Sequence, residues 1–589
     1  MRKIIAFIFI GILLFACKNS NYEELTPIEK TKQNLIKNYT LFAKSCKKLD
    51  SLIQNKTNIT KAQNEFNTAR LHYKKTESFI SLYYPETSKS LNGAAIDKND
   101  IHETSRKKEE ATGFQKVEEL LFAKEIDIEN LKKHVGILNG YTQTLKTNIK
   151  NIQLSDSNIF EAQKLQMVRM MSLGISGFDS PITLHSIPEA KATIESISDV
   201  ILTFSDDEKF VELISKTKTY LDKNQNFNTF DRADFIVNYC IPISNTIHKI
   251  QQKLKIKTNP YTNAINLDKQ NIFEEGAFNQ DYFAPNYNQK PNSAQIALGE
   301  KLFFDPILSG NNKVSCATCH IPTQAYADHK TKAVEGIKSR NTPTLLNSAF
   351  QNVQFLDGRV TYLEDQAKSV INNKDEMHGS FANALNKIKN NPSYQKKFKS
   401  VFVNEKEITE QNLLKSLASY VRSLSKLNSK FDNYLRGKTK LTASEKNGFN
   451  LYMGKAKCAT CHFFPLFNGS VPPLYNETES EVLGVPSQNV TQNATIDSDL
   501  GEFLITKAPL KKHAFKTPTV RNSSITFPYM HNGVYQKLED VIDFYNRGGG
   551  HGIGIATENQ TLPTNKLNLT KSEIKNLTDF IKTLNNSSY

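Results

Sequence analysis

A five-residue segment, Cys-Ala-Thr-Cys-His, occurs twice in this 589-residue chain, at residues 316–320 and again at residues 458–462. Cys-x-x-Cys-His is the attachment signature of a c-type haem: the two thiols bind the haem covalently, and the histidine becomes the proximal ligand of the iron. A zinc site or a redox Cys-x-x-Cys pair does not explain why a histidine follows both times. The spacing therefore predicts two covalently attached haem c groups. The residues concerned are Cys316, Cys319, His320, Cys458, Cys461 and His462.

The N-terminus predicts export. Arg2 and Lys3 precede an apolar run, residues 4–15, which is too short to span a bilayer as a mature helix. The run ends in a lipobox-like Leu-Phe-Ala-Cys, which predicts a lipoprotein signal peptide over residues 1–16 and lipid on Cys17. Ordinary signal cleavage nearby is the alternative, and both place the chain outside the inner membrane, where c-type haem is attached. We expect a periplasmic protein anchored to the membrane by lipid.

Two further cysteines, Cys46 and Cys240, are expected to be buried thiols, and a disulfide between them is left open by the sequence. The net charge of +15 comes from scattered lysines rather than from one basic block. Such lysines are typical of a solvated surface, so no nucleic-acid partner is expected. Steering of an acidic electron donor is a weaker hypothesis.

Composition and periodicity divide the chain into three parts and predict a mainly α fold. Residues 17–265 have apolar positions spaced by three and four, as in a bundle of amphipathic helices. Residues 266–292 have the Asn- and Pro-rich composition of a linker. Two cytochrome c-like haem domains are expected to follow, over residues 293–435 and 436–589.

The two haem domains form an internal duplication. Residues 342–347, Thr-Pro-Thr-Leu-Leu-Asn, match residues 517–522, Thr-Pro-Thr-Val-Arg-Asn, at an offset of 175. Gly358 and Gly533 keep that offset, whereas the haem motifs are 142 residues apart, so the second copy carries about 33 extra residues between Pro465 and Phe515. Each copy predicts a helix ending at the haem motif, a long loop and a helix that bears a distal group.

The copies differ where a distal group would lie. Tyr545 ends the apolar face of a predicted helix that a run of three glycines, residues 548–550, terminates. Its equivalent in the first copy is Val370, which cannot bind iron. Conversely, Gln366 and Glu376 align with Val541 and His551 of the second copy. The alignment predicts one open haem and one haem closed by a sixth ligand.

From about residue 293 to 585 the chain resembles the bacterial dihaem cytochrome c peroxidase and MauG superfamily. The resemblance rests on the two haem motifs and on Leu-Phe-Phe-Asp-Pro at 302–306, Arg-Asn-Thr-Pro-Thr at 340–344, Phe-Leu-Asp-Gly-Arg at 355–359, Pro-Tyr-Met-His-Asn-Gly at 528–533 and Asp-Phe-Tyr-Asn-Arg-Gly-Gly at 543–549. It implies that the first haem is the peroxide site and that the second stores or relays an electron.

The resemblance also implies roles for the distal residues. The family's distal Gln and Glu lie ten residues apart, as Gln366 and Glu376 do. Glu376 would move the peroxide proton from the inner to the outer oxygen by general acid–base catalysis, and Gln366 would position water or peroxide. The structural alternatives are an exposed loop acid for Glu376 and a surface helix glutamine for Gln366. Tyr545 matches the axial Tyr of MauG and the axial Met of peroxidases, with Met530 as the rival ligand.

Two departures from the family pattern affect electron transfer and activation. The inter-haem tryptophan is replaced by Leu356, and the chain contains no tryptophan. Tyr529, Phe355 and Tyr362 are candidate substitutes, with ordinary core packing as the alternative for each. The displaceable distal histidine of the classical enzymes is replaced by Ala333, with His329 nearby as an expected loop residue. We therefore expect an open first haem that needs no reductive activation.

The resemblance further implies a calcium ion between the haem domains, bound by Asn341 and by the carbonyls of Thr526 and Pro528, because hard oxygen donors suit calcium. Arg359 and Arg521 are candidate partners of the haem propionates, with surface arginines as the alternative.

The N-terminal bundle resembles imelysin and EfeO-like helical domains, chiefly through residues 113–122, Gly-Phe-Gln-Lys-Val-Glu-Glu-Leu-Leu-Phe. Gln115 stands where those domains carry a metal-binding histidine, so a spacer or docking bundle is expected.

The sequence thus predicts a peroxidase that reduces hydrogen peroxide with electrons from a small cytochrome c or cupredoxin-like protein. The alternatives are a MauG-like oxidase of a protein or organic substrate, and a non-catalytic electron-transfer or metal-handling lipoprotein.

Overall fold

The structure, a computed structural model, describes residues 24–55, 58–99, 108–261, 263–333 and 340–588. Cys17 and the predicted signal peptide lie outside the described residues. Within the described ranges, no helix is both long enough and apolar enough to cross a membrane. The mainly α fold predicted from the sequence is confirmed, since strands are few and short.

The N-terminal part of the chain is a helical bundle. Its helices are α1 (Pro27–Gln54), α2 (Ile59–Lys74), α3 (Glu77–Tyr83), α4 (Pro85–Asn92), α5 (Gly113–Leu121), α6 (Ile128–Asn151), α7 (Asp156–Ser172), α8 (Ser186–Ile201), α9 (Glu208–Lys223), α10 (Arg232–Phe235) and α11 (Ile241–Lys253), with a π-helical turn at Ile236–Cys240 between the last two. Thr26 and Glu29 form a capping box that starts α1. One two-stranded antiparallel hairpin, β1 (Lys98–Asn99) with β2 (Lys108–Glu109), lies between α4 and α5.

Cys46 and Cys240 are both buried in this bundle as free thiols, as the sequence predicted. Cys46 belongs to the core between α1, α2 and α6, and Cys240 to a second core that the bundle shares with the C-terminal part of the chain. Burial raises the pKa of both thiols, which makes them unreactive at neutral pH.

The stretch predicted as a linker has no long helix but is folded against its neighbours. Ile272, Phe273 and Phe278 are buried in the same core as the second haem unit. Phe278 packs edge-on against Tyr475, with ring centroids 5.3 Å apart. This segment therefore joins the bundle and the haem units through packed contacts.

The remaining elements form the two haem units. They are α12 (Ser293–Phe304), α13 (Leu363–Asn372), α14 (Phe381–Lys389), α15 (Pro392–Val401), α16 (Glu410–Ser423), α17 (Lys430–Leu435), α18 (Ala443–Met453), β3 (Ser480–Val482), α19 (Phe503–Thr506), β4 (Ala514–Lys516), α20 (Leu538–Asn546), α21 (Gly549–Gly552) and α22 (Lys571–Lys582). β3 and β4 pair antiparallel, with Glu481 opposite Phe515.

The backbone repeats the offset of 175 that the sequence predicted. Asn347 and Asn522 both lie in the left-handed region, at φ 62° and 61°, and Gly358 and Gly533 both have φ 65°. The isolated bridge between Gln354 and Val360 recurs at the same offset between residues 529 and 535. The helices α13 and α20 begin at equivalent residues, which establishes the register of the two distal helices.

A glycine lies at the main helix crossing of each unit. α12 crosses α16 in the first unit and α18 crosses α22 in the second. A Cβ added to Gly299 would lie 1.9 Å from the Ser416 carbonyl oxygen, and one added to Gly448 would lie 1.9 Å from that of Asn576. Close backbone approach at these crossings therefore requires glycine.

The expectation that a helix ends at each haem motif is wrong in detail. α12 ends at Phe304, well before Cys316, and α18 ends at Met453, before Cys458. Asp305 precedes Pro306, and a residue before proline is held in extended backbone, here at ψ 122°. Each motif instead forms a short 3₁₀ turn, at Cys316–Thr318 and at Cys458–Thr460.

Candidate haem sites

Each proximal histidine is held by a backbone carbonyl. His320 Nδ1 lies 3.1 Å from the Tyr326 carbonyl oxygen, and His462 Nδ1 lies 2.9 Å from that of Pro518. A carbonyl only accepts, so Nδ1 carries the proton and Nε2 keeps its lone pair. Burial lowers the pKa of both rings, that of His462 to about 4. Neutral imidazole with Nε2 available, next to two unpaired thiols, is the donor set that a c-type haem needs.

Gln366 and Glu376 belong to the helix of the first unit that is equivalent to α20 and to the segment that follows it. Both are half-buried: Gln366 lies within α13 and Glu376 lies beyond its C-terminus. Burial raises the pKa of Glu376, while the charge of Arg359 and a hydrogen bond from Asn373 Nδ2, 2.9 Å long, oppose that rise. Burial raises the pKa of Cys319, and the charges of Asp328 and Glu376 act in the same direction.

Val370 packs in the core that contains Cys316, one turn of α13 beyond Gln366. At the position equivalent to Glu376, His551 is exposed. The first unit therefore has two half-buried polar residues, Gln366 and Glu376, where the second unit has Val541 and an exposed histidine.

Tyr545 lies in the last turn of α20, and Gly548, at φ 95°, follows the end of this helix. Burial raises the pKa of Tyr545, and the nearby Cys461 and Cys458 act in the same direction. Within the described residues the hydroxyl has no hydrogen-bond partner. Met530 packs against Val541 of the same helix and remains a rival ligand.

The extra residues of the second unit cover this distal side. Leu483, Ala494 and Ile496 belong to the predicted insertion, and they pack in one cluster with Met530 and Val541. The first unit has no equivalent segment, because its haem motif and distal helix are separated by 33 fewer residues.

Glu481 is a site residue that the sequence reasoning missed. It lies in β3 and is only 8% exposed, and Thr561 and Cys461 are among the groups that act on the pKa of its carboxyl. Burial raises its pKa to about 7. The alternation of Glu477, Glu479 and Glu481 was the available signal, since alternate residues of a strand share one face.

The predicted calcium ligands are partly brought together. Asn341 Nδ2 lies 2.7 Å from the Pro528 carbonyl oxygen, and the Asn341 backbone N–H donates to the His531 carbonyl. No contact links the Thr526 carbonyl with Asn341. Among the described residues no group of three or more His, Cys, Asp or Glu side chains could hold a metal ion. A site here would therefore depend on neutral oxygen donors.

The two candidate propionate partners differ in availability. Arg521 is buried and pairs with both carboxylate oxygens of Asp432 at 2.8 Å, which leaves only Nε without a partner. Arg359 is exposed, bonds Asp357, and lies 3.4 Å from the Phe355 ring centroid. Both stay predictions, with Arg359 the more accessible donor.

An ionic and aromatic contact joins the two haem units where the family tryptophan would lie. Arg340 bonds both Asp357 of the first unit, at 2.7 Å, and Asp499 of the second, at 2.8 Å. Its guanidinium lies 5.2 Å from the Phe515 ring centroid, and Phe515 stacks on His531 at 3.9 Å. The Leu356 carbonyl accepts a hydrogen bond from the backbone of Lys516 in β4.

The residues considered as substitutes for the tryptophan are in ordinary contacts. Tyr529 donates its hydroxyl to the Ser523 carbonyl at 3.0 Å, and Tyr362 is the N-cap residue of α13.

The two residues considered in connection with the displaceable histidine contact other parts of the haem units. Ala333 donates its backbone N–H to the Arg340 carbonyl. His329 stacks on Phe527 of the second unit, with centroids 4.3 Å apart.

The bundle contains a buried ionic cluster at the imelysin-like segment. Its members are Arg70, Lys74, Glu77, Glu118, Arg169, Asp179 and Glu189. Glu118 Oε1 accepts from the Thr183 backbone at 2.9 Å, while Glu118 Oε2 and Gln115 Nε2 are buried without a partner. Lysine and arginine side chains thus pair with most of these carboxylates.

This cluster borders the second haem motif. Lys457, directly before Cys458, places Nζ 3.4 Å from the Pro181 carbonyl, and Phe178 packs edge-on against Phe463 at 5.7 Å. On another face of the contact, the Asp231 carboxylate accepts from Asn450 of α18 at 3.1 Å.

Comparisons with known proteins match the helical bundle and the haem units separately. A family profile described as di-haem cytochrome c peroxidase matches residues 293–440, and one described as imelysin matches residues 36–176. The cytochrome-c peroxidase IdrP1 of Pseudomonas sp. (strain SCT) is 35% identical over 318 residues, covering 50% of this chain and 82% of that protein.

Two further relatives match the same share of the chain. The methylamine utilization protein MauG of Methylorubrum extorquens is 33% identical over 294 residues, covering 49% of this chain and 78% of that protein. The cytochrome c551 peroxidase of Nitrosomonas europaea is 32% identical over 300 residues, covering 50% and 81%.

Proposed function

Because this chain belongs to the dihaem cytochrome c peroxidase and MauG family, and is therefore an oxidoreductase with two haem c groups, we propose that it reduces hydrogen peroxide to water at its first haem. Electrons reach that site from a small cytochrome c or cupredoxin-like protein through the second haem. The observation that carries the proposal is that Glu376, which follows α13, is half-buried, whereas His551 at the equivalent position of the second unit is exposed.

When bound, the haem iron supplies the redox chemistry that breaks the peroxide O–O bond. Glu376 accepts the proton of the inner peroxide oxygen and returns it to the outer oxygen, which leaves as water. Gln366 orients the peroxide from α13. Two electrons and two protons complete the reduction to two waters. Burial raises the pKa of Glu376 above that of an exposed glutamate, which favours the protonated form that this transfer requires.

The second unit suits electron relay rather than peroxide binding. Tyr545 of α20 would be the residue that binds the iron of the second haem, and the inserted residues pack in one cluster with Val541 of the same helix. Ala333 stands where the classical enzymes carry a displaceable histidine, so the first haem would need no prior reduction. Calcium bound by Asn341 and the carbonyls of Thr526 and Pro528 joins the two units.

Tyr545 also favours a second candidate function. A MauG-like enzyme would withdraw electrons from a protein or organic substrate instead of taking them from a redox partner, and tyrosinate ligation would stabilise ferric iron in the second unit. Peroxide-dependent turnover with a reduced cytochrome distinguishes the two, because a MauG-like oxidase would show none.

The location follows from the haem chemistry and the N-terminus. We propose a periplasmic protein, released from its signal peptide before Cys17 and anchored to the membrane by lipid on that cysteine.

The test uses the protein with both haems bound. Glu376→Gln should lower peroxide turnover with a reduced cytochrome by at least about 100-fold, the usual contribution of a positioned acid–base group. The haem content should stay at two per chain. Glu405→Gln, at an exposed position of the same unit, is the matched control and should keep full turnover. Full activity of Glu376→Gln would contradict the proposal.

A further inference from the structure

Three aromatic rings pack together beside each of the two segments that carry a proximal histidine. The first cluster is Phe303, Tyr326 and Tyr420, and the second is Tyr452, Phe467 and Phe580. Phe303 lies 5.1 Å from Tyr420 between ring centroids, and Tyr452 lies 5.4 Å from Phe580.

The helix crossings show that the clusters are equivalent. Tyr420 follows Ser416, whose carbonyl faces Gly299, and Phe580 follows Asn576, whose carbonyl faces Gly448, by four residues in both cases. Phe303 and Tyr452 each lie four residues after their crossing glycine.

The third ring of the first cluster is also equivalent to the third ring of the second. Tyr326 and Phe467 both follow a haem motif and both have left-handed backbone, at φ 58° and 56°. Tyr326 therefore corresponds to Phe467, as Tyr420 corresponds to Phe580.

The two units differ in the hydroxyl groups of these positions. Tyr326 and Tyr420 are each 5% exposed, and their hydroxyl oxygens are 3.0 Å apart. The second unit has phenylalanine at both positions, and those rings still pack with centroids 5.8 Å apart. Packing alone therefore does not require the hydroxyls. The hydrogen-bonded pair is found only in the unit proposed to react with peroxide.

The pair lies between the first haem motif and the protein surface. The Tyr326 carbonyl holds His320 Nδ1. On the other side, the Tyr420 ring is 6.3 Å from that of Phe304, which is 43% exposed. Burial, the hydrogen bond with Tyr326 and the nearby charge of exposed Glu300 raise the pKa of Tyr420.

We propose that Tyr326 and Tyr420 form a redox-active relay that carries oxidising equivalents from the first haem to the surface at Phe304, where a small phenolic donor is oxidised by one electron. The relay rests on the proposed function, because peroxide reduction at the first haem supplies the oxidant.

Each step of the relay balances. Tyr326 gives one electron to the oxidised first haem, its phenolic proton moves to the Tyr420 oxygen, and the Tyr420 proton moves to the Glu300 carboxylate. Hydrogen-atom transfer from Tyr420 to Tyr326 then moves the radical to Tyr420. A phenol at Phe304 restores Tyr420 by giving up one hydrogen atom, and becomes a phenoxyl radical.

The first test mixes the all-ferric protein with hydrogen peroxide and no donor. Electron paramagnetic resonance of the frozen sample should show a tyrosyl radical in the native chain, and its loss in Tyr326→Phe and in Tyr420→Phe. Both variants recreate side chains that the second unit carries, so folding should be retained. Tyr394→Phe is the matched control, because Tyr394 is buried in the same core but bonds Asp305.

The two possible failures are separable. If the native protein neither consumes peroxide nor changes its haem absorption spectrum, the proposed function fails and the relay fails with it. If peroxide is consumed but the tyrosyl signal is absent, or persists unchanged in both variants, only the relay is overturned.

A second test compares two electron donors in steady-state turnover. Tyr420→Phe should lose most of its turnover with guaiacol, a small phenol, and keep turnover with a reduced cytochrome, which delivers electrons through the second unit. Equal guaiacol turnover in Tyr420→Phe and in the native chain would overturn the proposed exit at Phe304.

Discussion

Single side chains distinguish the chemistry of two units that share one backbone. Val370 and Tyr545 occupy equivalent positions of α13 and α20, yet only the phenol can bind iron. Glu376 and His551 are likewise equivalent, and the first is half-buried whereas the second is exposed. At this scale a few substitutions separate a site suited to peroxide from one suited to electron storage.

The ligand role proposed for Tyr545 leads to a prediction about the second haem. Replacing the anionic oxygen with a thioether in Tyr545→Met should raise the reduction potential by on the order of 100 mV, within the ~0.8 V range that axial ligands span. Potentiometric titration monitored by absorption measures the shift. Met530→Leu should leave the potential unchanged. A large shift in Met530→Leu, with none in Tyr545→Met, would assign the ligand to Met530 instead.

At the scale of elements, each unit depends on one close helix crossing. α18 and α22 approach so closely at Gly448 that no side chain fits between them. The inserted segment adds β3 and covers the distal side of α20, which makes the second unit the more enclosed one.

Substitution of Gly448 should test how closely α18 and α22 approach each other. Gly448→Ala should lower the free energy of unfolding by about 1–3 kcal/mol, because the methyl group would overlap the Asn576 carbonyl. Gly136→Ala in α6 should raise it by about 0.5–1 kcal/mol, since nothing lies near that position and alanine favours a helix. Urea unfolding followed by circular dichroism measures both. Equal effects of the two variants would disprove the close crossing.

At the scale of the whole molecule, the second haem unit contacts both other parts of the chain. It shares one hydrophobic core with the imelysin-like bundle and an ionic contact, through Arg340, with the first unit. Asp231 and Lys457 add polar contacts at the face between bundle and motif. The bundle is therefore packed against the haem part of the chain.

The contact between the haem units should be sensitive to acid. Burial acts to raise the pKa of Asp499, but hydrogen bonds from Arg340 and the Gly501 N–H, with the Arg340 charge, hold it below its usual value. A lowered carboxyl pKa stabilises the folded chain fully above the unfolded pKa of ~3.9. This stability decreases below that pH and is lost as the pH falls through the lowered pKa of the folded chain.

Asp499→Asn should therefore lower the thermal unfolding midpoint at neutral pH, and the difference from the native chain should shrink below about pH 4. Scanning calorimetry between pH 7 and pH 3 measures it. Asp365→Asn, at an exposed position, serves as the control. A difference that stays constant with pH would show that Asp499 stabilises the contact by packing alone.

Much of the fold was readable because local pattern and covalent chemistry determine it. Residues close in sequence determine the haem motifs, the offset of 175 and the end of the helix before Gly548. The register of the duplication was enough to pair Val370 with Tyr545 and Glu376 with His551. The helix expected to end at Cys316 was wrong because Pro306 and the turn after it end α12 earlier.

Only the tertiary structure could bring Glu481 to Cys461, Arg340 to Asp499, and the Tyr326 hydroxyl to that of Tyr420. These partners are distant in sequence, and side chains meet there because helix crossings and the insertion bring their segments together. The sequence by itself determined the cofactor attachment, the duplication and the residues on which the copies differ, since these follow from spacing. The tertiary structure decided which differing residues are buried, paired or exposed, because burial depends on the packing of the whole chain.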